Sequence, residues 1–157
     1  MTVKKSWPGR FYEDFEIGDL IEHSMGRTIT NSDNIWFTLI TMNQNPIHFD
    51  KVYAAKTEFK EILVDSTFTL ALVTGLSVND ISRNAINLGW DEVRLHNPVF
   101  EGDTLYAKSE VLSKRLSNSR PHMGIITFKT SGYNQHEVTV IDFKRTIMIY
   151  RHDRPVD

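Results

Sequence analysis

The sequence predicts an α+β fold in which a curved antiparallel sheet surrounds one long central helix. The run from Phe59 to Val78 is apolar around nearly the whole helical circumference, so it needs cover on every side. Four strand-like runs follow it, separated by Gly, Pro, Asn or Ser. With 157 residues, the chain has the length of one domain with a real core, so we expect a single domain over residues 1–157.

A shorter amphipathic helix is predicted earlier in the chain, over Ser32–Met42. Its apolar residues recur at helical spacing behind three capping candidates, Thr30, Asn31 and Ser32. This helix must end before Pro46, because the residue before a proline is displaced from the α region and the neighbouring asparagines favour turns. We therefore expect His48 on a loop.

The four predicted strands lie in the second half of the chain, over residues 85–100, 103–117, 123–135 and 137–151. Side-chain alternation is clearest from Val138 to Tyr150. One apolar helix enclosed by a long antiparallel sheet is the hot-dog architecture. Such a sheet leaves an exposed edge or a partly open helix, so we expect at least a homodimer.

The composition excludes several classes of function. There are 18 Lys and Arg against 20 Asp and Glu, a formal charge of −2, which disfavours a nucleic-acid partner. The absence of cysteine excludes disulfides and thiol nucleophiles and makes the cytoplasm the default compartment. The first residues contain no apolar signal-peptide core, and the run from Ile62 to Val78 is too short and polar to span a membrane.

His48 is surrounded by side-chain amides and turn residues, in the order Asn43, Gln44, Asn45 and Pro46. Two interpretations are open from these residues alone. His48 is either a turn residue with satisfied hydrogen bonds, or a group that transfers protons near neutral pH once a neighbour fixes its tautomer.

The stretch NQNPIHFD, residues 43–50, resembles the motif D-x-N-P-x-H-x-D of the MaoC-like, R-specific enoyl-CoA hydratase family. Asn45, Pro46, His48 and Asp50 match that motif. The stretch NPVFEGDTLYAKSEV, residues 97–111, resembles a second family motif, and the resemblance covers roughly residues 10 to 150. It implies a hot-dog fold and reversible syn addition of water to an enoyl-CoA thioester, with His48 as acid and base and Asn45 beside the substrate.

Asn43 departs from the family pattern, because the family carries its catalytic aspartate five residues before the histidine. An asparagine can still orient water, but it cannot accept a proton from it. Three accounts stay open: another carboxylate substitutes, the substrate assists, or the site is inactive. The candidate substitute is Asp65, which aligns with the position that opens the family's central helix.

Two further candidates follow from the same resemblance. Ser66 takes the place of a family glycine, and its backbone N–H is expected to stabilise negative charge on the thioester oxygen. Thr74 falls where related hydratases carry a serine that holds the active-site water. The alternatives are ordinary helix capping for Asp65 and Ser66, and a core hydroxyl bonded to the preceding helical turn for Thr74.

The polar stretches at residues 87–100 and 116–124 resemble the mesaconyl-CoA and itaconyl-CoA hydratase branch, which acts on short branched dicarboxylyl-CoA substrates. A free carboxylate in a small pocket needs a cation, and arginine offers a bidentate fork. The candidates are Arg94, Arg120 and Arg83, with Arg120 preferred because a proline follows it in a polar loop. Each could equally be a solvated surface arginine.

The sequence implies no metal and no cofactor, because its six histidines lack the spacing of a metal site and no Gly-rich phosphate loop occurs. The expected function is an enoyl-CoA hydratase or dehydratase. A hot-dog thioesterase is the second hypothesis, since the same fold can present water to the thioester carbonyl. A non-catalytic acyl-CoA-binding subunit that has lost the aspartate is the third.

Overall fold

An antiparallel sheet forms the larger layer of the structure, a computed structural model that describes residues 2–153. Its strands run in the order β1-β4-β5-β6-β3, and β2 pairs with β4 beside this path. The bounds of the strands are β1 Leu20–Glu22, β2 Arg27–Thr28, β3 Ala85–Leu95, β4 Thr104–Leu116, β5 Met123–Tyr133 and β6 Thr139–Tyr150.

The helices come before the four long strands in the chain. They are α1 (Asn31–Thr41), α2 (Lys51–Ala54) and α3 (Ser66–Ser77), and α3 continues into a π-helical segment at Val78–Ser82. Short 3₁₀ turns occupy Tyr12–Asp14 and Pro46–His48. None of the helices in residues 2–153 is long and apolar enough to cross a membrane.

The central helix begins later than the apolar pattern predicts, at Ser66 instead of Phe59. The Asp65 side chain caps it by accepting hydrogen bonds from the N–H groups of Thr67 at 2.7 Å and Phe68 at 3.3 Å. Just before the cap, the Val64 N–H donates to the Val99 carbonyl at 2.9 Å. The helix predicted over residues 59–65 is therefore wrong, because the backbone at Leu63 and Val64 pairs with distant segments of the chain.

The other sequence predictions agree closely with the structure. All four long strands lie inside the predicted runs, and α1 differs from its predicted range by one residue at each end. His48 lies in a short turn, as expected from Pro46. Strands β1 and β2 were not predicted, since runs of three and two residues are too short to show alternation.

The buried apolar residues form two clusters: one lies between α3 and the sheet, and the other packs Phe15 and Ile81 against β4, β5 and β6. Val73 of α3 is fully buried against β5, where Gly132 makes the close approach possible. A Cβ atom on Gly132 would lie 2.5 Å from a Val73 methyl carbon, so no larger residue fits there without movement. The structure is the α+β hot dog that the sequence predicts.

Two parts of the molecule, the strand β3 and the helix α1, expose apolar side chains. Strand β3 is the edge of the sheet, and it exposes Ile86, Leu88, Trp90, Val93 and Leu95. Helix α1 also turns apolar side chains outward, including Trp36 at 67% and Ile40 at 72% relative exposure. The sheet edge at β3 and the outward side of α1 are therefore two apolar surfaces that the described residues leave exposed.

A buried cation lies at the far end of α3. Arg145 of β6 is 4% exposed, and its guanidinium donates to the side-chain oxygens of Asn87 at 2.7 Å, Ser77 at 3.1 Å and Ser82 at 3.1 Å. Burial lowers the pKa of Arg145 from its ordinary value. Its three acceptors are neutral, so hydrogen bonds, and not an ion pair, compensate the buried charge.

Helix α1 begins in a reciprocal cap between Thr30 and Asp33. The Thr30 hydroxyl accepts from the Asp33 N–H, while Asp33 accepts from the Thr30 N–H at 2.8 Å and from Arg27 at 2.9 Å. The bond from the Thr30 backbone, assisted by the Thr30 hydroxyl and Arg27, holds the pKa of Asp33 below its usual value against the effect of burial.

Replacing this carboxylate should weaken the fold in a pH-dependent way. We expect Asp33→Asn to lower the free energy of unfolding at pH 7 by about 1 kcal/mol. Because the folded-state pKa is lowered, the contribution is complete above about pH 4 and disappears as the pH falls through the folded-state pKa. Urea unfolding over a pH series measures it, with the exposed Asp91→Asn as control. A difference independent of pH would contradict the expectation.

Candidate active site

The turn that carries His48 is built by its own sequence. The Asn45 side chain accepts from the Ile47 N–H at 3.3 Å, and Pro46 supplies the fixed φ angle of the first turn residue. The buried ring of His48 then places Nδ1 2.8 Å from the carbonyl oxygen of Leu63. A carbonyl only accepts, so Nδ1 carries a proton and the neutral ring keeps a lone pair on Nε2.

The Nε2 atom of His48 is the reactive position of this ring. It has no hydrogen-bond partner among residues 2–153. Within the same residues, no buried side-chain nitrogen or oxygen lacks a partner. Nε2 therefore reaches solvent, and a water or substrate atom can approach its lone pair.

Asn34 is a positioning residue that sequence reasoning missed. Its side chain donates to the carbonyl of His48 at 3.0 Å and to that of Leu63 at 3.2 Å, and it accepts from the Asp65 N–H at 2.9 Å. One buried amide thus joins α1, the His48 turn and the cap of α3. The available signal was Asn34 and Thr38, four residues apart, which form a buried polar stripe while the apolar side of α1 faces outward.

Asn43 and Asp65 form a close side-chain pair. The Asn43 amide nitrogen donates to Asp65 Oδ2 at 2.5 Å, while its oxygen accepts from the Asn45 N–H at 3.0 Å. Burial raises the pKa of the Asp65 carboxyl, but hydrogen bonds from Thr67, Asn43 and Phe68 outweigh that effect and hold the pKa below its ordinary value. Asp65 is therefore a carboxylate anion near neutral pH.

Ser66 presents an uncovered backbone N–H at the start of α3. Asp65 Oδ1 takes the next two N–H groups, those of Thr67 and Phe68, and the N–H of Ser66 has no partner in the described part of the chain. Amide donors and the helix dipole at this end favour negative charge. The position can stabilise an oxyanion.

Two separate cavities border Ser66 and Asn43, and His48 is not among the lining residues of either. The first, of about 240 Å³, is bordered by Ser66 and is otherwise mostly apolar; its lining is Phe59, Leu63, Val64, Ser66, Thr69, Leu95, His96, Asn97, Pro98 and Val99. The second, of about 440 Å³, is bordered by Asn43 and by apolar residues of α1. The Asn43–Asp65 hydrogen bond joins the wall of the second cavity to the residue before Ser66.

Thr74 lies on the same helix but away from this group. Eight residues separate it from Ser66, which places it about 12 Å along the helix axis. Its hydroxyl oxygen accepts a hydrogen bond from the Trp90 indole at 3.3 Å. A single chain therefore does not bring Thr74 next to Ser66 and His48.

Arg94 lies outside the cavity at Ser66. It is on β3 opposite Asp142 of β6, and it borders a separate small cavity among charged side chains. Arg83 directly follows the π-helical segment, where it packs against Gly9 near the far end of α3. Neither arginine is brought to the first cavity within one chain.

Arg120 lies at the other end of the sheet. Its guanidinium is 3.6 Å from the sulfur of Met148, whereas Leu95, which borders the first cavity, pairs with Ile141. Seven residues of β6 separate Met148 from Ile141, a distance of about 23 Å along the strand. In residues 2–153, no three His, Asp or Glu side chains converge as metal ligands.

Comparison with known proteins identifies relatives of the whole chain. A family model described as mesaconyl-CoA hydratase matches residues 2–157. Mesaconyl-CoA hydratase from Cereibacter sphaeroides is 33% identical over 150 residues, which cover 95% of this chain and 43% of the relative. Beta-methylmalyl-CoA dehydratase from Chloroflexus aurantiacus is 33% identical over 150 residues, 95% of this chain and 42% of the relative. The chain thus spans less than half the length of these curated relatives.

Solved structures confirm the fold. A MaoC-domain dehydratase from Chloroflexus aurantiacus J-10-fl superposes with a TM-score of 0.90 at 30% identity, over 99% of this chain and 45% of that one. A Mycobacterium tuberculosis protein described as a double hot dog superposes with a TM-score of 0.83 at 22% identity, over 95% of this chain and 47% of that one. Both of those chains are about twice as long as this one, so the matched region is slightly less than half of each.

Proposed function

We propose the following function for this chain, which belongs to the mesaconyl-CoA hydratase family. It is an acyl-CoA hydratase or dehydratase, a carbon–oxygen lyase that adds water reversibly across the double bond of a short enoyl-CoA thioester. The substrate is a branched dicarboxylyl-CoA of the mesaconyl or itaconyl type. The observation that carries this proposal is the His48 ring, with Nδ1 held by the Leu63 carbonyl and Nε2 open to solvent.

In this mechanism His48 moves one proton in each direction. Its Nε2 lone pair takes a proton from water while the water oxygen bonds to the β-carbon of the substrate. The thioester oxygen gains negative charge, which the Ser66 N–H stabilises at the start of α3. The same nitrogen then returns the proton to the α-carbon on the same face, which completes syn addition and restores neutral His48.

The Asn43–Asp65 pair supplies the carboxylate that position 43 lacks. Asp65 is an anion whose Oδ2 holds one N–H of the Asn43 amide. The second N–H of that amide has no partner among residues 2–153, so it can donate to the water oxygen and leave a water proton for His48. Asn43 thus orients the water, and Asp65 acts as a positioning residue that holds Asn43.

A second copy of this chain completes the unit in this proposal. Each chain, residues 1–157, is one hot-dog domain, and the partner covers the open edge at β3. Support comes from the exposed Leu88 and Trp90 on that edge and from relatives about twice as long. The partner also brings its own α3 near this face, which offers Thr74 a route to an active site. The cysteine-free composition supports a cytoplasmic reaction.

The first test removes the proposed base. We expect His48→Ala to lower hydration of mesaconyl-CoA by about 10²- to 10⁴-fold, which is the range that general acid–base groups contribute. Loss of the enoyl double bond and release of free thiol are followed separately with mesaconyl-, itaconyl- and crotonyl-CoA. His136→Ala, in the exposed turn between β5 and β6, is the control, and urea unfolding verifies that both variants fold.

The outcomes separate the competing functions. Near-normal hydration by His48→Ala would refute its role as acid and base. Thiol release without hydration by the wild-type protein would indicate a thioesterase. Binding of CoA esters with neither reaction would indicate a non-catalytic subunit.

A second test exchanges the amide and the carboxylate. Asn43→Asp places two carboxylates in contact, and Asp65→Asn removes the anion, so each should lower kcat/KM by about tenfold or more. The double variant Asn43→Asp/Asp65→Asn restores one carboxylate and one amide and should recover most of the activity. Losses that simply add in the double variant would show that the two side chains do not act as a pair.

A third test addresses the second copy. Leu88→Lys puts a charge at the centre of the exposed edge, where Leu88 is 50% exposed, and it should convert the dimer to a monomer. The control is Leu116→Lys, which alters a leucine of similar exposure, 52%, on β4. Analytical ultracentrifugation measures both. A dimer that survives Leu88→Lys, or a wild-type monomer, would refute pairing through this edge.

A further inference from the structure

The cavity bordered by Ser66 has room for a short acyl group. Its volume of about 240 Å³ is below the range of about 300–1,000 Å³ found for pockets of drug-sized ligands. Most of its lining is apolar, including Phe59, Leu63 and Val99. A charged substrate group in this cavity therefore needs a specific partner, since an unpaired charge is disfavoured in apolar surroundings.

His96 is the candidate for that partner. Of the described residues that line the cavity, it is the one with an ionisable side chain. It directly follows β3, where its backbone N–H donates to the Val140 carbonyl at 2.9 Å. Its Nε2 lies 3.1 Å from Asp142 Oδ2. Two contacts to β6 thus fix both the backbone and the ring.

The Asp142 contact decides which ring atom serves a ligand. With Nε2 donating to the carboxylate, Nδ1 is the nitrogen that stays available. In the imidazolium form Nδ1 also donates, so the ring can hold Asp142 on one side and a second anion on the other. The arrangement is an anion-binding histidine held in place by a carboxylate.

The charges around Asp142 also favour an anion. Lys129 lies 3.8 Å from Asp142, and Arg94 and Lys144 border the same small cavity on the outer face. Glu92 is the other acidic residue there, and Lys144 donates to it at 2.6 Å. Among the residues that line this small cavity, three are basic and two are acidic, so its lining has a net positive charge.

We propose that His96 is a specificity-determining residue that binds the free carboxylate of a dicarboxylyl-CoA substrate. The inference rests on the proposed function, in which the thioester oxygen meets the Ser66 N–H. The carboxylate of a short dicarboxylyl group is only a few bonds from the thioester, so it must lie in the cavity that Ser66 and His96 both border. His96 takes the role that the sequence suggested for Arg94 or Arg120.

The test compares a substrate that has the carboxylate with one that lacks it. We expect His96→Gln to lower kcat/KM for mesaconyl-CoA by about 10- to 100-fold, the loss of one charge-assisted hydrogen bond, and to change kcat/KM for crotonyl-CoA by less than about twofold. Asp142→Asn should reduce the mesaconyl preference less. His122→Gln is the matched control, since His122 lies 4.0 Å from Asp153 outside the cavity lining.

The ratio of kcat/KM for the two substrates distinguishes the outcomes. An equal loss for both substrates in His96→Gln, or no loss for either, would overturn the proposal. If the wild-type protein hydrates neither substrate, the hydratase proposal fails, and calorimetry then gives the ratio of dissociation constants for the two CoA esters. A preference for mesaconyl-CoA that His96→Gln removes supports the carboxylate site, and a ratio that the variant leaves unchanged overturns it.

Discussion

The candidate site depends on the hydrogen bonds that the ionised carboxylate of Asp65 accepts. One of its oxygens ends the irregular backbone and begins α3, which leaves the first N–H of the helix, at Ser66, uncovered. The other oxygen holds Asn43, and the Asp65 N–H is held in turn by Asn34. The start of α3, the exposed N–H of Ser66 and the position of the Asn43 amide are consequences of one cap. The hydrogen bonds that lower the pKa of Asp65 make it a poor proton acceptor, and the same hydrogen bonds hold its neighbours in place.

Burial is complete between α3 and the sheet and incomplete along β3 and on the outward side of α1. The sheet covers α3 so closely that a glycine is needed at position 132, yet β3 and the outward side of α1 leave large apolar side chains exposed. In α1 the usual arrangement is reversed, because the polar residues Asn34 and Thr38 are buried. Asn34 donates to the carbonyls of His48 and Leu63, and the Thr38 hydroxyl donates to the Ile35 carbonyl of its own helix. The candidate site is therefore built on the polar side of α1, while the apolar side of the helix is exposed.

Features with a local cause could be predicted from the sequence, and features with a distant partner could not. The long strands and α1 follow from alternation and capping, and the His48 turn follows from Pro46. The start of α3 was misplaced because Val64 pairs with Val99, thirty-five residues away. Asn34 was missed because its partners His48, Leu63 and Asp65 are distant in sequence. Arg94 was suggested by residue type, whereas its strand register places it opposite Asp142 and outside the first cavity.

The π-helical segment after α3 has a consequence for how this helix can change during evolution. Residues five apart lie about 140° from each other around an α-helix, so Ser77 and Ser82 could not both face Arg145 in a regular helix. The wider turn at Val78–Ser82, equivalent to one inserted residue, brings their hydroxyls to the same guanidinium. Deleting one residue from this turn would move one serine hydroxyl away from the buried guanidinium of Arg145. The number of residues at the C-terminal end of α3 is thus constrained by the contacts to Arg145, whereas the N-terminal end is constrained in side-chain type by the capping carboxylate of Asp65.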